Sequence, residues 1–139
     1  MSFVNGWTSS LIQLKEIENI LGELGTTEDR SILLLGDLNA DTSSDTYLKL
    51  IAENYTSAYS KVNGREPVIT HRNHRSEDVL SDFIFYFNKS SLDTLMLHPT
   101  AANLLPAGGT DEQWDENFTI SDHRPIFVSF LCAITKPQN

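Results

Sequence analysis

Hydrophobic positions along the chain follow two patterns. In the first, Leu14, Ile17, Leu21 and Leu24 recur at helical spacing with Glu16, Glu18 and Glu23 between them, which predicts an amphipathic helix over residues 10–24. Ser10-Leu11-Ile12-Gln13 matches a capping box that would open this helix, and Gly25 is a stop. In the second, apolar residues run without polar alternation. Residues 31–35 (Ser-Ile-Leu-Leu-Leu) read as a strand buried on both faces and end abruptly in Gly36, Asp37 and Asn39. Residues 79–87 are rich in aromatic and β-branched side chains and form the strongest strand signal, interrupted by the carboxylate of Asp82.

Between these runs, Ser43 or Ser44 can cap a second helix over 44–53, with Asp45 near its positive end and Tyr47, Leu48, Ile51 and Ala52 on its buried face. Asn63-Gly64 is a turn signal, and Val68-Ile69-Thr70 is a short strand leading into the polar, basic loop His71-Arg72-Asn73-His74-Arg75. Residues 92–97 and 126–131 read as further strands. Residues 99–117 read as loop, with Pro106 to Gly109 and the acidic Asp111, Glu112, Asp115 and Glu116, and the tail from Lys136 reads as frayed. Helix followed by buried strand points to an α/β fold. The strands near 31–36, 82–87, 93–97 and 126–131 are expected to join in one sheet layer, with both helices against it.

Composition narrows the picture. The 139 residues suit a single domain spanning 1–139 with one modest core. The net charge of −9 does not attract polyphosphates, so contact with nucleic acid would need local Arg and Lys groups or bound cations. Cys132 is the lone cysteine, which excludes an intrachain disulfide and favours a reducing compartment. The first residues lack a basic region followed by an apolar core, and no apolar run reaches membrane-spanning length. The expectation is therefore an intracellular protein, cytoplasmic or nuclear, without a membrane partner. Three Asn-x-Ser/Thr sequences, at Asn54, Asn88 and Asn117, are read as chance.

Polar groups stand at the ends or edges of the apolar strands: Asp37 with Asn39, then Asp82, then Asp122 with His123. Each has a plain structural explanation. Asp37 to Asn39 suits an Asp-x-Asn turn, Asp82 an edge charge, Ser121-Asp122 a turn cap, and His123 a surface histidine. Together they also suit hydrolysis of a phosphodiester. One Asp can hold the imidazole in one tautomer, a second can polarise water, a third can hold a metal, and Asn can donate to a phosphoryl oxygen. Oxygen ligands without cysteine favour Mg²⁺, Mn²⁺ or Ca²⁺ over structural Zn²⁺. His71, Arg72, His74 and Arg75 read either as a solvated loop or as a phosphate contact.

Gly36-Asp37-Leu38-Asn39, Asp82-Phe83-Ile84-Phe85-Tyr86 and Ser121-Asp122-His123, in that order, resemble the three motifs of the endonuclease/exonuclease/phosphatase superfamily. Leu104-Leu105-Pro106 and Ser57-Ala58-Tyr59 look closer to its branch of carbon-catabolite-repressor-type deadenylases, nocturnin and Angel proteins. The resemblance runs from the first helix to the last strand. It implies part of a four-layer α/β/β/α sandwich of the deoxyribonuclease I-like type, corresponding to its C-terminal half. It implies that Asp37 positions or activates water, Asn39 contacts the scissile phosphate, Asp82 orients His123, His123 faces the phosphate, and Asp122 helps hold Mg²⁺ or Mn²⁺. His71, Arg72 and Arg75 would assist substrate binding.

Family members carry a metal-binding Glu and substrate-binding aromatics in an earlier half, and no Gln-Glu-type strand precedes Asp37 here. The implied function is metal-dependent hydrolysis of RNA from its 3′ end in a complete domain, with this chain inactive or nearly so alone. The alternatives are a non-catalytic fragment that binds a partner, or the missing half, through an exposed sheet, and an abasic-site or retroelement endonuclease or a phospholipid or inositol phosphatase of the same superfamily.

Overall fold

The computed structural model describes residues 5–23, 30–89, 95–105 and 121–134. Within these, helix α1 (Asn5–Glu23) leads to strand β1 (Ile32–Asp37), helix α2 (Asp45–Ala52), strand β2 (Thr56–Ser57) and helix α3 (Ala58–Asn63). A small hairpin follows, β3 (His71–Arg72) with β4 (Asp78–Val79), then β5 (Asp82–Phe87), β6 (Leu95–Leu104) and β7 (Ile126–Ile134). The class is mixed α/β, as the alternation of patterns implied. The expected single sheet layer is not formed. The strands make a three-stranded sheet in the order β1-β5-β2, the β3-β4 pair and a separate β6-β7 pair, all antiparallel.

Alternation along β5 determines how these parts stack. Side chains of successive strand residues point to opposite faces. Phe83 and Phe85 belong to one core cluster with Leu14 of α1 and Leu50 of α2. Tyr86 belongs to a second, with Ala58, Leu97, Val128 and Phe130, and Ile84 packs beside it. Both helices therefore lie on one face of β5, and the β6-β7 hairpin and α3 lie on the other. Tyr47 fixes α2 over this strand by ring contacts with Phe83 and Phe85 at 5.3 and 5.5 Å.

Several local expectations need correction. Helix α1 opens at Asn5, so Ser10 lies within the helix and not at its start. The side chain of Leu21, residue Leu24 and the stop at Gly25 lie outside the described residues, as do residues 92–94, 106–120 and the tail from 135. Ile17 is 37% exposed, and Leu14 is the buried residue among the described side chains of α1. Helix α2 is capped by Ser44, whose hydroxyl accepts from the Tyr47 amide, but it buries Thr46 and Leu50 while Leu48, Ile51 and Ala52 face outward. Its burial follows the position of Leu50 against β5, which propensity alone does not reveal. Residues 68–70 are not a strand, and pairing begins one residue later at His71. Residues 99–104 are not loop. They extend β6, with a register shift between Pro99 and Ala101 where the missing proline N–H is tolerated.

Strand β1 is buried on one face only. Leu33 and Leu35 are 45% and 66% exposed. They stand opposite Tyr86 and Ile84, on the face where the β6-β7 hairpin covers β5. That hairpin leaves the β1 half of this face open.

Truncating Phe85, 1% exposed at the centre of the first cluster, is expected to lower stability by about 3–5 kcal/mol. Ser44→Ala should cost about 1 kcal/mol through loss of the α2 cap. Urea titrations of the two variants followed by circular dichroism check both values.

Candidate functional site

The register of β1 against β5 brings the first two motifs together. Asp37 is the cross-strand partner of Asp82, and Gly36 that of Phe83. Two carboxylates directly opposite each other repel and destabilise a sheet end unless a cation or proton stands between them. Beyond Asp37 the chain is turned by the side chain of Asp37, whose Oδ1 accepts from the Asn39 amide at 2.7 Å. Asn39 has φ of +50°, a left-handed value that Asn tolerates better than most residues, and its side chain is exposed. Gly36 has φ of +147°, which suits glycine at the last turn of the strand.

The third motif is brought in by backbone pairing with β3. His71 and His123 form an antiparallel bridge, flanked by Arg72 N–H to Asp122 C=O at 2.9 Å and Arg124 N–H to Thr70 C=O at 2.7 Å. Thr70 is fully buried, and its hydroxyl accepts from the amides of both Ser81 and Asp82 at 3.1 Å. One threonine thus joins the entry to β5 with the segment carrying His123. Ser121 Oγ accepts from the His123 amide at 3.1 Å and shapes the turn.

The result is an Asp–His pair. His123 Nδ1 lies 3.2 and 3.1 Å from the two carboxylate oxygens of Asp82. One carboxylate facing Nδ1 with both of its oxygens selects the tautomer with its proton there, which leaves Nε2 for other work. Partial burial pulls the His123 pKa down, but the hydrogen bond and charge of Asp82, with the charges of Asp37 and Asp122, outweigh it and raise the value above 6.5. The expected proximity of Asp82 to His123 is present in the structure, and the charges of Asp37 and Asp122 reach the imidazole.

A groove of about 510 Å³ opens beside this pair. Asp82 and His123 line it together with Leu35, Gly36, Ile84 and Ile126, so it lies on the open face of β1.

The basic loop divides. His71 enters the site: its ring lies 3.9 Å from that of His123, and its Nδ1 lies 3.9 Å from an Asp122 carboxylate oxygen. The Arg72 guanidinium is engaged by Asp78 at 2.7 Å, so it is not a ready phosphate contact. Arg75 is exposed in the turn between β3 and β4, where Asn73 Oδ1 accepts from its amide. Sequence reasoning grouped His71 with these arginines by charge. Its real association is with the third motif, and the only sequence signal was its place directly after a strand-like run.

Asp122 is 63% exposed in its side chain. With His71 and His123 it forms a group whose ligating atoms lie within 4.8 Å of one another. No family model, no curated protein and no solved structure matches this chain in comparison.

Because the folded pKa of His123 is raised, the Asp82–His123 pair stabilises the fold fully below pH 6.5, and this contribution is lost as pH rises through the raised folded value. Asp82→Asn should lower the His123 pKa in an NMR titration and flatten the stability profile across that window. An unchanged titration would show that Asp82 does not hold the imidazole.

Proposed function

We propose that this chain is the dyad-bearing part of a phosphodiester hydrolase of the endonuclease/exonuclease/phosphatase superfamily, acting on RNA in its complete form. The observation that carries the reading is the Asp82–His123 pair seated beside the cross-strand partners Asp37 and Asp82. All three motifs that resemble the superfamily thereby meet at one end of β1 and β5. In this reading Asp82 orients the imidazole through Nδ1, and Nε2 faces a phosphoryl oxygen. Asp37 positions the attacking water, and the side-chain amide of Asn39 donates to a phosphate oxygen. The groove beside the pair takes the scissile group. Its walls carry the apolar side chains of Leu35, Ile84 and Ile126 beside the charged pair.

The architecture is consistent with one part of a four-layer α/β/β/α sandwich. Helices cover one face of β5, strands cover the other, and the open β1 half of that face awaits a layer. An intracellular location belongs to the same reading. Among the described residues, no helix is long and apolar enough to cross a membrane.

Mg²⁺ or Mn²⁺ is the cofactor that the superfamily implies. When bound, such an ion clamps phosphate oxygens and offsets their developing charge. The donor set around Asp122 does not fit Mg²⁺: it offers one carboxylate and two imidazoles, whereas Mg²⁺ seeks oxygen ligands and retains its waters. The expectation of little activity from this chain alone rests on the resemblance, in which an earlier half supplies the metal-binding Glu.

The exposed Leu33 and Leu35 favour a second reading, in which the chain serves as a binding fragment that pairs through the open face of β1.

Adenosine monophosphate and a phosphorothioate oligo(A) are expected to shift the His123 imidazole and Asn39 side-chain resonances in NMR titrations, and His123→Ala should weaken that binding at least about tenfold, the loss of a charge-assisted hydrogen bond. Abasic DNA and inositol phosphates, titrated in parallel, separate the other substrates of the superfamily. Absence of any shift with every phosphoester would overturn the reading. With Mg²⁺ or Mn²⁺ and labelled oligo(A), the chain should cleave no faster than an Asp37→Ala/His123→Ala control.

A further inference from the structure

The two histidines and the aspartate at the His71–His123 bridge have a chemistry of their own. The Nδ1 of His71 is buried and has no hydrogen-bond partner. It faces the Asp122 carboxylate at 3.9 Å, too far for a hydrogen bond. A buried ring nitrogen left unpaired carries a desolvation cost that a ligand would relieve. On the other side, Asp82 holds His123 by Nδ1, as outer carboxylates hold metal-ligating imidazoles, and directs Nε2 away from itself.

We infer that His71, Asp122 and His123 form a binding site for a divalent cation of borderline softness, Zn²⁺ by chemistry and Co²⁺ or Ni²⁺ as close analogues, and not for Mg²⁺. Two imidazoles and one carboxylate are a common three-ligand set for such ions, with water completing a tetrahedron. Zn²⁺ bonds of about 2.0–2.1 Å place tetrahedral donors about 3.3 Å apart. The three donors stand within 4.8 Å, so they must draw in. Asp122 can supply that movement because its side chain is largely exposed, whereas the imidazoles are placed by a backbone bridge and by Asp82.

The site does not depend on the proposed hydrolysis, and its binding is read without substrate. The two uses do compete for one nitrogen: a cation on His123 Nε2 takes the atom that would face phosphate. The chain's net charge of −9 favours cation binding in general, so selectivity between cations, and not affinity alone, is the informative quantity.

The test is calorimetry and imidazole NMR on the whole chain with ZnCl₂ or MgCl₂. Zn²⁺ should bind one to one and move the His71 and His123 resonances together while those of His74 and His98 stay in place. Millimolar Mg²⁺ should leave all four unchanged. Asp122→Asn and His71→Ala should each weaken Zn²⁺ at least tenfold, and Asp82→Asn should weaken it about 10–100-fold by releasing the His123 ring. Asp122 is exposed, so its variant decides the matter if His71→Ala does not fold. Zn²⁺ affinity unchanged in Asp122→Asn, shifts confined to His74 or His98, or equal shifts with Mg²⁺ would overturn the inference.

Discussion

The buried side chain of Thr70 is the constraint on which the site depends. Its hydroxyl takes two amides at the entry to β5, its own amide bonds to Val79, and its carbonyl takes the amide of Arg124. A hydroxyl can accept twice and is small enough to be enclosed, so one residue satisfies donors from two chain segments where solvent cannot. Replacing it by valine would preserve the shape and strand both amides. The positions of Asp82 and His123 both follow from this one residue, the first through its hydroxyl and the second through its backbone carbonyl and the adjoining bridge.

Above that junction the molecule is organised by β5. Its phenylalanines anchor the helices and its alternate residues anchor the hairpin, so a single strand communicates between two small cores. Asp82 is the first residue of that strand, which places a carboxylate at the boundary between a packed interior and an open groove. Such a boundary gives a charge-assisted hydrogen bond more strength than full exposure would, without the penalty of complete burial.

The chemistry-bearing residues were legible because strand ends follow from abrupt changes in hydrophobicity. Gly36, Asp37 and Asn39 close one apolar run, Asp82 opens another, and the pairing register makes Asp37 and Asp82 partners. The role of His71 was not legible, since it arises from a bridge between segments far apart in sequence. Exposure of Leu33 and Leu35 was likewise hidden. An all-apolar run implies two covered faces, and only the actual extent of the β6-β7 hairpin shows one of them to be half open. Residues 99–104 deceived for another reason: Pro99 suggested an end to pairing, but a register shift absorbs it.

Core and site are secured by different means. The core rests on enclosed rings and aliphatic side chains. The segment bearing His123, by contrast, is attached to β3 by a short backbone ladder and by an imidazole–carboxylate pair 41 residues apart in the chain. Opening that ladder disturbs neither Phe85 nor Leu50. Local opening of residues 121–124 would expose the buried side chain of Arg124 but none of the apolar residues of the Phe85 cluster. Both assemblies join segments far apart in the chain, Leu14 with Phe85 in the core and His71 with His123 at the site, so each carries a loop-closure cost. The dyad is thus held at the margin of the fold, where separating His123 from Asp82 breaks an ion pair and a short ladder and leaves the Phe85 cluster uncrossed.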